Sequence, residues 1–176
     1  MRQRDYVGLD SQCYTYLIDA MSNTLEPSDK LAAERIALFR ALLYRPGGLF
    51  LTPTVRREFE AIPSACRAAH HVSWAVLFPE TQPIDQPAID RRAVQLGQYH
   101  NDFGDCCILA EAEDSGLNGL LTFDKDFISH LSSHTCLTLQ KPVDFWNWLD
   151  VQKGATPVTI PTTDNPQSGA TWWRWV

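Results

Sequence analysis

Short apolar runs alternate with helical patterns at least four times along this chain, and that alternation limits its fold more than any other feature. The runs are residues 6–9, 49–52, 119–123 and 135–139. Ser11 is placed to cap a first helix carrying Tyr14, Leu17 and Ile18 on one face. Pro27-Ser28-Asp29 opens a longer helix, with Leu31, Ile36, Leu38, Phe39, Leu42 and Leu43 near a 3.6-residue period, and Pro46-Gly47-Gly48 ends it. Pro53-Thr54 start another helix that runs to Ile62. Further helices are expected over 63–72, 86–99, 105–114, 127–131 and 142–149, with 101–104 a turn and Gly116 closing the helix before it. Residues 73–78 fit either a strand or a buried helical turn. Buried strands separated by helices imply an α/β fold of three layers, α/β/α, with a central, mostly parallel sheet.

A length of 176 residues suits one domain with an appendage. The domain is expected over 1–153. From 154 the chain turns Thr/Pro-rich, with Asp164 the sole charge before Trp172, so 154–176 reads as an extended tail ending in a Trp cluster. Trp172, Trp173 and Trp175 are costly to leave in water. They dock either on their own domain or on another chain, and self-docking or a homodimer contact is expected, because an isolated WWRWV end would invite aggregation; a homodimer is expected among the partners.

Apolar stretches such as 72–78 are far short of the ~20 residues a membrane helix needs. MRQRDYVGLD lacks the apolar core of a secretory signal, so a cytoplasmic protein with no membrane partner is expected. Cys13, Cys66, Cys106, Cys107 and Cys136 are odd in number and contain no CxxC pair. They fit reduced thiols better than a disulfide framework or a four-cysteine zinc site.

In an open α/β sheet, ligands bind beyond the carboxyl ends of the strands. Asp10 follows the first strand and Asp124 a later one, so both face one crevice. Each alone also suits a helix cap or a turn. In DCCILAEAED, Asp105 shares a face with Ile108, Leu109 and Ala112, while Glu111 and Asp114 point elsewhere. In TVRREFEAI, Glu58 borders the apolar face of Val55, Phe59 and Ile62, and Glu60 lies opposite. Four converging carboxylates repel one another and stay ionised together only beside a strong counter-charge. All-oxygen ligation selects a hard cation, Mg2+ or Mn2+. Such an ion can lower the pKa of a bound water and stabilise a leaving oxygen, which is metal-assisted phosphodiester hydrolysis.

The ordered strings VGLDSQ, TPTVRREF, GDCCILAEA and LLTFDKDF, followed by KPVDFWNWL, resemble the PIN domain over about residues 5–150. PIN domains are small α/β/α metal-dependent nucleases, many of them VapC-like toxins of toxin–antitoxin pairs. The resemblance implies that Asp10, Glu58, Asp105 and Asp124 form the acidic catalytic quartet. Asp126 joins Asp10, Asp105 and Asp124 as a metal ligand, and Ser11 or Thr122 supports the ligands or a water. It further implies single-stranded RNA as substrate, cut endonucleolytically to leave 5′-phosphate ends, and an antitoxin protein as partner. Two other readings stay open. One is a non-catalytic PIN-like module that binds RNA or protein; the other is a different metal-dependent phosphohydrolase.

Competing signals are weaker. Asp102-Phe103-Gly104 spells a kinase DFG, but no Gly-rich loop or HRD string accompanies it. His130, His134 and Cys136 lack a fourth zinc ligand. Arg56 and Arg57 share a helix with Glu58 and fit either phosphate contacts or solvated helix charges. The net charge of −6, from 15 bases and 21 acids, argues against a broad basic surface that coats nucleic acid. If Asp10, Glu58, Asp105, Asp124 and Asp126 line one pocket, the remaining 16 acids nearly balance the 15 bases. The acidity is then concentrated at the candidate metal site.

Overall fold

A computed structural model describes residues 6–22 and 25–176. Four strands, β1 (Val7–Leu9), β2 (Leu49–Phe50), β3 (Gly119–Leu121) and β4 (Thr138–Gln140), form one sheet in the order β2-β1-β3-β4. Every pairing is parallel, with Val7 opposite both Leu49 and Gly119, and Leu120 opposite Leu139. Eight α-helices flank the sheet among the described residues, giving the α/β/α arrangement. They are α1 (Ser11–Ser22), α2 (Ala32–Tyr44), α3 (Pro53–Glu60), α4 (Ala65–Ala75), α5 (Gln86–Leu96), α6 (Phe103–Asp114), α7 (Lys125–Leu131) and α8 (Pro142–Trp148). None is long and apolar enough to cross a membrane.

The two central strands, β1 and β3, are wholly interior. Leu9, Leu120 and Leu121 have no exposed surface and helices cover both faces, which is why these two strands are apolar throughout, whereas Thr138 of the outer strand β4 is exposed. Gly119 lets β3 and β4 approach closely: a Cβ there would lie 2.6 Å from the Thr138 carbonyl oxygen. From β1 the chain first crosses to β2 on one side and later reaches β3 on the other. The carboxyl ends of β1 and β3 therefore border a topological switch point.

Several local expectations shift. Asp10, not Ser11, caps α1: its Oδ1 accepts from the Cys13 N–H at 2.5 Å. Ser11 is the first helical residue, so its hydroxyl is free to bond elsewhere. Pro27 and Ser28 are irregular and lead into a turn that starts at Asp29, whose Oδ1 accepts from the Leu31 N–H at 2.7 Å and whose carbonyl accepts from the Ala32 N–H at 3.0 Å, and α2 begins at Ala32. Residues 73–78 resolve as the end of α4 and a turn. The extra pairing beside β2 comes from a bridge between Leu51 and Glu80. Helix α6 starts two residues before Asp105, because the Asp102 side chain accepts from the Gly104 and Asp105 N–H groups.

The C-terminal segment folds back onto α2. Arg40 Nε donates to the Trp173 carbonyl at 3.0 Å, and its Nη2 donates to those of Trp172 and Arg174 at 3.3 and 3.0 Å. Trp173 is buried, and Trp175 meets Trp146 edge to face at 5.7 Å. The Trp175 N–H donates to the Tyr44 hydroxyl at 3.0 Å. Aromatic surface that would otherwise face water thus extends the domain's own core.

Candidate functional site

Asp10 ends β1 at the switch point. Its N–H donates to the Leu121 carbonyl at 3.0 Å, so the backbone of β3 holds it in line with the sheet. The residue is buried, 4 % exposed. Burial pushes its pKa up from 3.8 to about 6, against the pull of hydrogen bonds from Thr122 and Cys13, and the charge of Asp105 adds to the rise.

Thr122 joins the two strand-end acids. It is fully buried, its side chain hydrogen-bonds Asp10, and its Oγ1 accepts from the Asp124 N–H at 2.9 Å. Asp124 caps α7, with Oδ1 accepting from the N–H groups of Asp126 at 2.7 Å and Phe127 at 3.2 Å. Asp126 lies in the first turn of α7 and is exposed, as is Lys125 between the two acids.

Asp105 stands in the first turn of α6, partly buried. Burial raises its pKa, the His100 hydrogen bond lowers it, and the neighbouring charges of Asp102 and Asp124 raise it again. Its Oδ2 lies 2.9 Å from His100 Nε2. His100 is itself buried, stacked on Phe127 at 5.4 Å, with its Nδ1 3.4 Å from His130 Nδ1. No periodicity or spacing in the sequence marks His100, because it reaches Asp105 across the turn that precedes α6.

Glu58 approaches from α3. The Ser11 hydroxyl donates to its Oε2. A Cβ built on Gly104 would lie 2.8 Å from its Oε1. The carboxylate therefore rests on the first turn of α6, beside the residue that precedes Asp105, where the helix dipole favours negative charge. Gly104 leaves the space it occupies, a role the DFG spelling conceals.

Arg56 and Arg57 are engaged elsewhere. Arg56 pairs with Glu60 at 3.1 Å and with Glu80. Arg57 Nη2 donates to Glu111 at 3.2 Å and to the Thr54 hydroxyl at 2.6 Å. Glu111, expected to point away from the buried stripe, is 2 % exposed and accepts from the Thr54 N–H and hydroxyl at 2.9 and 2.8 Å. Helix α6 is covered on more than one side, so a single-stripe reading misplaces it. His130 and His134 are likewise spent on other contacts, His134 stacking on Tyr99 at 3.6 Å.

The structure thus draws Asp10, Asp105 and Asp124 into one electrostatically coupled group, with Glu58 on the adjoining helix turn. Each carboxylate keeps one oxygen on a local donor: Cys13 for Asp10, His100 for Asp105, the start of α7 for Asp124, and Ser11 for Glu58. Among the described residues no three His, Cys, Asp or Glu side chains stand ready-arranged around a single metal position. The donor set nevertheless fits a hard cation. It is all oxygen, and it contains a buried carboxyl group whose ionisation needs a compensating positive charge. No protein-family model matches the chain, and no curated protein matches it.

Proposed function

We propose that this chain is a Mg2+- or Mn2+-dependent endoribonuclease of PIN-like type, hydrolysing phosphodiester bonds of single-stranded RNA. The observation that carries the reading is the coupling of Asp10, Asp105 and Asp124 at the carboxyl edge of β1 and β3. Asp10, Asp105 and Asp124 would hold the metal, with Asp126 at the rim. A bound divalent ion would supply charge neutralisation and lower the pKa of a nearby water. Glu58, fixed by Ser11, would orient a water toward phosphorus and accept its proton while the P–O3′ bond breaks, the 3′ oxygen leaving as a hydroxyl after taking a proton from solvent. Thr122 keeps Asp10 and Asp124 in register, and His100 fixes the Asp105 carboxylate as an outer partner. Lys125, exposed between Asp124 and Asp126, suits a phosphate better than Arg56 and Arg57, which are paired with Glu60, Glu80 and Glu111.

A toxin role, an antitoxin that covers this edge, and a homodimer belong to the same proposal. So does a cytoplasmic location, which the five unpaired cysteines favour. A second reading, a non-catalytic RNA-binding module, draws support from the local hydrogen bonds that occupy each carboxylate. Incubating the purified protein with single-stranded RNA and Mn2+ separates the two. Cleavage leaving 5′-phosphate ends, lost in Asp10→Asn and Asp105→Asn proteins that keep the native circular dichroism spectrum, supports the nuclease. Binding without any metal-dependent cleavage supports the module.

A further inference from the structure

Beside the acids, α1, α3 and the start of α4 enclose a cavity of about 340 Å³. Ser11 and Glu58 form its end toward the metal site. Phe59 lies at its base, and half-buried Ile62 and Tyr16 flank it. Gln12 and Thr15, one helical turn apart on α1, line it as well. Neither of their side chains has a hydrogen-bond partner among the described residues, unlike Ser11 in the same turn. Arg67 stands at the far side, half exposed, its contact with Asp19 a long 3.4 Å.

We infer that this cavity binds one unpaired nucleobase of the RNA strand, next to the bond that is cut, and sets the base preference of the site. The inference rests on the nuclease reading for its neighbour but not for its chemistry. A planar ring that is apolar on its faces and polar at its edge matches a cleft with apolar flanks and free polar groups along one wall. The Gln12 amide offers both a donor and an acceptor, enough to distinguish one base edge from another, and the Thr15 hydroxyl adds a third group. Arg67 is suited to the phosphate on the outer side of that nucleotide. The position of Glu58 in both the cavity wall and the acid group puts the inner phosphate at the metal site. An RNA duplex is disfavoured, because a paired base would first have to break its pairing and stacking to enter the cleft.

The test uses the full chain in EDTA and four single-stranded 2′-O-methyl homopolymers, which cannot be cut through the 2′ oxygen, read by fluorescence anisotropy. The expected result is one homopolymer bound about tenfold more tightly than the weakest. Gln12→Ala and Thr15→Val should level that preference, and Arg67→Ala should weaken all four together. Equal binding of the four by the wild type, no binding at all, or a preference unchanged in Gln12→Ala and Thr15→Val overturns the inference. Cut-site sequencing with Mn2+ keeps the two ideas apart. Cleavage with a base preference indifferent to Gln12 and Thr15 sinks the base pocket and leaves the nuclease standing. Selective binding in EDTA without any cleavage under Mn2+ sinks the nuclease and leaves the pocket.

Discussion

Replacing Asp10 by asparagine should stabilise the metal-free protein at neutral pH and change it little near pH 4. Burial pushes the Asp10 carboxyl up from 3.8 to about 6. The folded state therefore holds the proton more tightly than the unfolded chain does. That advantage is complete below pH 3.8 and is lost as pH rises through about 6. At ~1.4 kcal/mol per unit, the ionised carboxylate costs roughly 3 kcal/mol of folding stability by pH 7.5. Asparagine loses no proton, and its Oδ1 still accepts from the Cys13 N–H. At ~2–4 °C per kcal/mol, the variant should melt roughly 6–12 °C above the wild type at pH 7.5. The assay is thermal unfolding by circular dichroism in EDTA between pH 4 and pH 8. Adding Mn2+ at pH 7.5 should close the gap by raising the wild type alone, since the metal removes the cost of the charge. A gap that stays constant with pH, or a variant that melts lower at pH 7.5, would refute the reasoning.

Three other outcomes follow from the same geometry. Gly104→Ala places a methyl group against Glu58 Oε1, so RNA cleavage should fall about tenfold while the melting temperature holds or rises slightly, because alanine favours the helix. Unchanged cleavage would mean that the position of Glu58 on α6 does not matter. His100→Ala removes the partner of Asp105 and should weaken Mn2+ affinity by about 10–100-fold, with His100→Gln restoring part of it. Equal loss in both variants would point to packing on Phe127 instead. Arg40→Ala deletes three bonds to the Trp172–Arg174 carbonyls and should cost about 2 kcal/mol or more, with a red shift of tryptophan emission before global unfolding.

Much of the frame is readable from the sequence because it depends on local pattern. Apolar runs ending at Asp10 and just before Asp124 mark strands buried on both faces, and these become neighbouring parallel strands. What the pattern does not reveal depends on tertiary approach. His100 meets Asp105 only through the path of the chain before α6. The closeness of Glu58 to α6 depends on the missing side chain of Gly104. Glu111 is buried because α3 covers a second side of its helix. The exchange of roles at Asp10 and Ser11 has a similar origin, since a cap is chosen by the strand that feeds the helix as well as by residue type.

The claim on which the account turns is that these acids form a cation site. Isothermal titration of the metal-free protein with Mn2+ at pH 7.5 tests it most directly. The account predicts saturable binding with a Kd below about 1 mM, abolished in Asp10→Asn and Asp105→Asn and weakened in Asp124→Asn. The same non-saturating heat from the wild type and all three variants would contradict it.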